Sequence, residues 1–292
     1  MTQALHVNGV DLVWSERGSG TEATPAFVLC HGFTGSAHDF ALVVDDLAAA
    51  PPGRRVVTLD QRGHGHATVT SSLRGYTIDQ LVADLTAFIE KVGGGPVDLL
   101  GHSMGGRVAL GVVLSRPDLV SSLILMDTSA WSFVPPDEGV RAMVHSWMTA
   151  FDPAQGMPAS LSLGSPEDLL IEQTTPAEWR QEKDTIFAGM DAYAVKGLGS
   201  ALLTDRADGL VSLRPELSAI ACPTTVVVGQ RDHPLVDQAP DLAAEVANGR
   251  LSVIAGAYHS PQLTHRGAWL EAVQAHLHWA DAMRAGEQVE GR

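Results

Sequence analysis

The stretch VDLLGHSMGGRVAL, residues 97–110, decides the fold. Its first half is a short apolar run, typical of a buried strand, and its second half places small and apolar residues at helical spacing. Between the halves stands the pattern G-x-S-x-G, residues 101–105, with Ser103 at its centre. A serine at such a strand-to-helix corner occupies a sharp, strained turn, so the pattern predicts a nucleophilic hydroxyl that projects above a sheet.

Strand and helix patterns alternate on both sides of this corner. Apolar runs at 56–59, 97–100 and 122–126 lack polar alternation, as do strands buried on both faces of a parallel sheet. Further strand patterns lie at 5–14, 26–30, 222–232 and 249–259, and helical patterns at 77–93, about 104–115 and about 267–283. We therefore predict the α/β class, with a mostly parallel sheet flanked by helices.

Residues 131–213 interrupt this alternation, because they contain helical patterns but no convincing strand. We predict a sheet domain formed by residues 1–130 and 214–292, with a helical insertion at 131–213. Apolar clefts with few polar groups are typical of small-ligand sites. Three aromatic residues of the insertion, Trp131, Phe133 and Trp147, are predicted to line a cleft between it and the sheet domain.

Composition and charge exclude several classes of partner. The chain has 292 residues and a formal net charge of −15, which opposes binding to nucleic acid or anionic lipid. The N-terminal residues lack the pattern of a signal peptide, and the two cysteines have no metal-site or disulfide spacing. We therefore expect a cytoplasmic protein with a small-molecule substrate. The oligomeric state stays open.

Two more residues complete a candidate catalytic set in the chain order Ser, Asp, His. Asp232 follows a strand pattern in VVVGQRDHP, and His259 follows the last strand pattern in AGAYHSPQLT. In such a set the imidazole takes the serine proton, and the carboxylate holds the imidazole in the required tautomer. Asp127, which ends the run SSLILMD, is the alternative acid.

An oxyanion hole needs two backbone N–H groups beside the nucleophile. One comes from the residue after the serine, here Met104, and the other from a loop that follows an early strand. The segment LCHGFTG, residues 29–35, fits that loop, and Phe33 is its predicted donor.

Taken together, the segments HGFTG (31–35), DQRGHG (60–65) and GHSMGG (101–106), with the late aspartate and histidine, resemble the α/β-hydrolase superfamily. The resemblance covers nearly the whole chain, although DQRGHGHAT lacks the serine that often follows GHG in the family. It implies a helical cap where the insertion lies. It also implies a cofactor-independent hydrolase whose nucleophile, base and acid are Ser103, His259 and Asp232.

We predict hydrolysis of a small, largely apolar carboxylic ester, lactone or thioester through an acyl-enzyme. Carbon–carbon bond hydrolases, cofactor-free perhydrolases and ligand receptors share the scaffold and stay open as alternatives. A further alternative is a lyase, because Arg107 matches the arginine that follows the serine in the menaquinone-pathway enzyme that eliminates pyruvate. Arg107 is therefore a candidate substrate-binding residue, and His102, which precedes the serine, is a second candidate because it could line the pocket. HExxH is absent, and we predict no metal site.

Overall fold

The computed structural model describes residues 2–20, 24–70, 72–131, 137–157, 165–203 and 210–286. An eight-stranded sheet forms its centre. The strands are β1 (Gln3–Val7), β2 (Val10–Arg17), β3 (Phe27–Cys30), β4 (Val56–Asp60), β5 (Val97–His102), β6 (Val120–Met126), β7 (Thr224–Gly229) and β8 (Gly249–Ile254).

The strands lie in the order β1-β2-β4-β3-β5-β6-β7-β8. The pairs β1–β2 and β2–β4 are antiparallel, and all the other neighbouring pairs are parallel. The prediction of a mostly parallel α/β sheet is thereby confirmed. Because the carboxyl ends of parallel strands share one edge of the sheet, the loops after β3, β5, β6, β7 and β8 meet there.

Helices cover both faces of the sheet. They are α1 (Val44–Ala49), α2 (Ile78–Val92), α3 (Met104–Ser115), α4 (Glu138–Ala150), α5 (Pro166–Thr174), α6 (Ala177–Ala188), α7 (Ala192–Leu203), α8 (Leu235–Glu245), α9 (Pro261–Thr264) and α10 (Arg266–Ala285). The Thr77 hydroxyl caps α2 by accepting from the amide of Gln80 at 3.2 Å, as its position before the apolar pattern predicts.

The apolar runs that predicted buried strands divide their side chains between two cores. In β5, Val97 and Leu99 face the core beneath α2, α3 and α8, whereas Leu100 faces the core beneath α1 and α10. Successive strand side chains point to opposite faces, so a strand covered on both sides needs apolar residues throughout.

One strand prediction was wrong in detail. The pattern at 5–14 was interpreted as a single strand, but β1 and β2 form an antiparallel hairpin there. Asn8 and Gly9 have φ values of 46° and 80° in its turn. Two adjacent positive φ angles produce a tight hairpin turn, and Asn-Gly is the preferred sequence for it.

The helices α4 to α7 lie between β6 and β7 in the chain, and we call them the inserted helices. Helix α6 contacts the turn at residues 36–40 that follows β3. There the ring of Trp179 stacks on His38 with centroids 5.0 Å apart, and Lys183 forms an ion pair with Asp39. The inserted helices therefore rest on the loop that carries Phe33. Their division from the sheet domain at residues 131 and 213 stays a prediction.

A buried charge network joins the last helix to the centre of the sheet. Asp98 on β5 is fully buried and accepts from Arg54 at 2.7 Å, from Arg284 of α10 at 2.9 Å and from Ser122 at 2.7 Å. His276 of α10 also contacts Ser122, at 3.0 Å. A buried charge needs such partners, because transfer of an unpaired charge out of water is very costly.

Asp98→Ala should lower the free energy of unfolding by about 3–5 kcal/mol, because Arg54 and Arg284 lose their fully buried carboxylate partner and keep the partly exposed Asp281. Urea unfolding followed by circular dichroism measures the change. Asp118→Ala is the matched control, since Asp118 pairs with Arg116 on the exposed surface and should leave the midpoint unchanged. Equal midpoints for Asp98→Ala and the wild type would show that the network does not stabilise the fold.

Candidate active site

Ser103 stands at the corner between β5 and α3 with φ 52° and ψ −116°. Its amide donates to Met126 O at 2.9 Å, and its carbonyl oxygen accepts from the Thr128 hydroxyl at 2.7 Å. Such backbone angles cost a residue other than glycine about 1–3 kcal/mol and persist only where neighbouring contacts impose them. The side chain is partly exposed at the carboxyl-terminal edge of the sheet.

Two glycines make this corner possible. A Cβ at position 101 would lie 2.4 Å from the carbonyl oxygen of Gly105. A Cβ at position 105 would lie 2.4 Å from the carbonyl oxygens of both Cys30 and His31. Strand and helix therefore approach too closely for any side chain at either position.

The structure brings His259 and Asp232 into contact, with 2.8 Å between His259 Nδ1 and an Asp232 carboxylate oxygen. Burial alone would lower the pKa of His259, but Asp232 and the nearby Glu167 favour the imidazolium and raise it to about 9. Burial likewise opposes ionisation of Asp232, yet the charge of His259 holds the pKa of that carboxyl below its usual value. The pair is therefore a basic imidazole with a carboxylate at Nδ1.

His102 connects the serine corner to the histidine loop. Its Nε2 lies 2.8 Å from the carbonyl oxygen of His259, and the two rings are 4.9 Å apart. A carbonyl oxygen only accepts, so Nε2 carries the proton and donates. Burial and the charge of His259 lower the pKa of His102 to about 4, which keeps the ring neutral.

Asp127, the alternative acid, lies beside Asp232, and Asp232 is the carboxylate in contact with His259 Nδ1. Its Oδ1 accepts from the amide of Gly229 at 2.8 Å. Burial and the negative charge of Asp232 raise the pKa of Asp127 well above its usual value, which disfavours the charged form of this carboxyl. Ligand-type atoms of Asp127, Asp232 and His259 lie within 4.8 Å of one another. The hydrogen bond between His259 and Asp232 accounts for the contact between these two members of the cluster.

The loop after β3 passes close to the serine. A Cβ at Gly32 would lie 3.1 Å from Ser103 Cβ, so the main chain that leads into Phe33 borders the Ser103 side chain. Met104 is the first residue of α3, and the first N–H groups of a helix have no acceptor within it. Both predicted oxyanion donors thus belong to main chain beside Ser103.

Comparison with known proteins gives the same fold. A family profile described as alpha/beta hydrolase fold matches residues 25–266. The chain belongs to this family. Among the described residues of this α/β-hydrolase, no helix combines the length and apolar character needed to cross a bilayer.

Three similar proteins indicate the range of the family. The sn-1-specific diacylglycerol lipase ABHD11 of Danio rerio is 36% identical over 120 residues, which cover 41% of the chain but only 36% of the lipase. A candidate 2-succinyl-6-hydroxy-2,4-cyclohexadiene-1-carboxylate synthase of Bacillus subtilis (strain 168) is 24% identical, with 82% of this chain and 86% of that protein covered. The enol-lactonase structure from Burkholderia xenovorans LB400 has a TM-score of 0.72 at 24% identity, covering 94% of this chain and all of that one.

The other predicted substrate-binding residues lie in different surroundings. Arg107 is buried and donates to the carbonyl oxygens of Ala130 and Val211. It lines a cavity of about 630 Å³ between α2, α3 and α7, and none of the three candidate catalytic side chains lines that cavity. The Arg107 guanidinium therefore binds main-chain oxygens of the protein.

The three aromatic predictions have separate outcomes. The Arg214 guanidinium lies 5.2 Å from the ring centroid of Trp131. Trp147 is 38% exposed and stacks on Phe151, with centroids 5.6 Å apart. Phe133 lies outside the described residues. A cleft formed by all three aromatic residues stays a prediction.

Sequence reasoning missed Glu167, a carboxylate that α5 carries to the histidine loop. Its Oε1 accepts from the amide of Ser260 at 2.5 Å. The sequence around it, SPEDLL, indicates only a helix start, with Ser165 as the cap and Pro166 in the first turn. No local pattern shows where such a helix packs.

Asp232→Asn should lower the pKa of His259 from about 9, because the imidazolium loses its closest negative charge. NMR titration of ring-labelled histidine measures this, with the His259 signal assigned by its loss in His259→Gln. Asp237→Asn is the control, since Asp237 contacts His233 at the same 2.8 Å on the exposed surface. An unchanged His259 titration in Asp232→Asn would contradict the pairing.

Proposed function

We propose that this α/β-hydrolase is a serine hydrolase that cleaves a small, largely apolar carboxylic ester, lactone or thioester. The observation that carries the proposal is the 2.8 Å contact between His259 and Asp232 at the sheet edge where the strained Ser103 turn lies. Serine hydroxyls are weak nucleophiles and need a base that a third group orients. The chain supplies each part from a different strand end.

In the proposed mechanism, Ser103 Oγ attacks the acyl carbon while His259 Nε2 accepts its proton. Asp232 holds the Nδ1 proton and stabilises the imidazolium. The tetrahedral intermediate then expels the alcohol, enol or thiol, which takes the proton from His259, and Ser103 keeps the acyl group. Water, deprotonated by the same imidazole, attacks the acyl-enzyme, and collapse of the second intermediate releases the acid and restores Ser103.

The amides of Phe33 and Met104 are the proposed donors to the oxyanion of both intermediates. One such donor typically contributes about 3 kcal/mol to stabilisation of the transition state. The position of Met104 in the first turn of α3 supports its role, because the positive end of the helix dipole favours developing negative charge there.

Electrostatics and packing support an uncharged, apolar acyl group. Asp232 and Glu167 both lie near the catalytic base, so an anionic substrate would approach against their field. Beside the oxyanion loop, Phe33 and Met148 meet at Gly199: a Cβ there would lie 2.9 Å from Phe33 Cζ and 2.7 Å from Met148 Cε. This apolar contact supports the inserted helices as a cap over the substrate.

Relatives support the ester and lactone class. One similar structure is an enol-lactonase, and one relative is named a diacylglycerol lipase. Both names describe cleavage of an acyl–oxygen bond. We therefore propose this class of bond for the present chain, without proposing the long acyl chains of a lipid substrate.

Ser103→Ala should reduce kcat for p-nitrophenyl acetate or butyrate by about 10³–10⁶-fold, because removal of the nucleophile eliminates the acyl-enzyme route. Release of p-nitrophenolate measures the rate. Ser115→Ala is the control on the same helix, since the Ser115 hydroxyl only donates back to Gly111 O and Val112 O. A fluorophosphonate probe should label Ser103, as peptide mass spectrometry would detect. Undiminished turnover in Ser103→Ala would reject the nucleophile.

A lyase that eliminates pyruvate is the second candidate, because one relative aligned over 82% of the chain carries such a synthase name. A substrate with carboxylates would need a cationic partner, and Arg107 is the candidate. The bonds from Arg107 to Ala130 O and Val211 O disfavour this role. Turnover confined to the dicarboxylate precursor, with loss in Arg107→Gln and no ester cleavage, would favour the lyase over the hydrolase.

A further inference from the structure

Glu167 reaches the histidine loop from the inserted helices. It lies in the first turn of α5, which is fixed by a reciprocal capping box between Ser165 and Asp168. Helix α5 packs against the short helix α9, which begins directly after Ser260. Glu167 is thus held rigidly at one end of a helix whose neighbour carries the loop of His259.

The carboxylate of Glu167 binds the main chain of that loop. Its Oε1 accepts from the Ser260 amide at 2.5 Å, and the His259 amide interacts with the same carboxylate. His259 therefore has three side chains from distant elements around it. Asp232 binds its ring, His102 binds its carbonyl oxygen, and Glu167 binds the amide side of its peptide.

The Glu167 carboxylate is one of several titratable groups that surround His259. The titratable neighbours come from four elements: Asp232 after β7, Asp127 after β6, His102 at the end of β5 and Glu167 in α5. Burial and Asp232 raise the pKa of Asp127, which disfavours its charged form, and His102 is neutral because burial and His259 lower its pKa to about 4. Among these neighbours, Asp232 and Glu167 are the two carboxyl groups whose charges raise the pKa of His259.

We propose that Glu167 is a positioning residue for the catalytic base: its carboxylate fixes the main chain of His259, and its charge stabilises the imidazolium that forms when Ser103 loses its proton. This proposal rests on the proposed hydrolase function. It also makes the inserted helices part of the catalytic machinery, because correct packing of α5 is required to place the second charge.

Burial and charge are consistent with this role. Burial raises the pKa of Glu167, and the positive charge of His259 and the Ser260 amide oppose that shift. Charge and imidazolium therefore stabilise each other. A hydrogen bond that only fastened α5 to the loop would leave the basicity of His259 unaffected, and this difference can be measured.

Two substitutions separate the charge from the hydrogen bond. Glu167→Gln keeps an oxygen acceptor for the Ser260 amide and removes the charge, whereas Glu167→Ala removes both. Glu172→Gln is the matched control, because it removes a charge from the exposed surface of the same helix. Each full-length variant is assayed with p-nitrophenyl acetate from pH 5 to 10, and the ring of His259 is titrated by NMR.

Glu167→Gln should move the acidic limb of kcat/KM, and the His259 titration, about one pH unit lower than in the wild type. Its plateau kcat should fall several-fold, because a weaker base takes the proton less readily. Glu167→Ala should show the same shift with a further loss in kcat of about tenfold and a smaller change in KM, because the base is displaced. Glu172→Gln should match the wild type.

A His259 titration and a pH profile in Glu167→Gln that superimpose on those of the wild type would overturn the electrostatic role. A wild-type kcat in folded Glu167→Ala would overturn the positioning role. The NMR titration needs no turnover, so it tests Glu167 even if the wild-type protein cleaves no ester. The absence of ester cleavage by the wild-type protein would refute the proposed function. The NMR titration would still decide whether Glu167 raises the pKa of His259.

Discussion

The close approach of α3 to β3 and β5 is the constraint on which the rest of this structure depends. No side-chain carbon fits at residues 101 or 105, because main-chain oxygens lie 2.4 Å from where it would be. This packing holds Ser103 at backbone angles that residues other than glycine rarely adopt. The energy that the strained turn costs is supplied by the apolar contacts of a buried helix on a buried sheet.

Backbone strain recurs where the loops of the sheet edge meet. Within the described part of the chain, residues other than glycine with positive φ are Asn8, Thr34, Ser103 and Asp127. Asn8 belongs to the β1–β2 turn, but the other three follow β3, β5 and β6. The tightly turned loops after these parallel strands therefore lie at one edge of the sheet. His259 and Asp232 form their hydrogen bond at the same edge.

The sequence was sufficient for the features that local rules determine. The G-x-S-x-G corner, the buried parallel strands and the α2 cap follow from steric requirements within a few residues. The Asn-Gly hairpin carried an equally local signal, and its interpretation as one strand was avoidable. Chain order alone predicted that Asp232 would approach His259, because the loops after parallel strands share one edge.

Other features depend on packing that no short pattern encodes. Arg107 lies one helical turn after Ser103, so the sequence did not determine whether its guanidinium binds a ligand or another part of the protein. The main-chain oxygens that bind it belong to residues 23 and 104 positions away. Glu167 similarly meets Ser260 across 93 positions. The inserted helices have mixed surfaces, and their orientation is decided by contacts such as the Trp179–His38 stack.

The buried network around Asp98 has a consequence for the order of events during synthesis. In the order of synthesis Arg54 precedes the central strand, but Arg284 lies 186 residues after Asp98. Until α10 docks, one side of the sheet lacks its cover of Trp269, Val273 and Leu277, and the carboxylate lacks half of its countercharge. The interior is therefore complete only after α10 has been synthesised and has docked, and the apolar face exposed before that is a surface for chaperones.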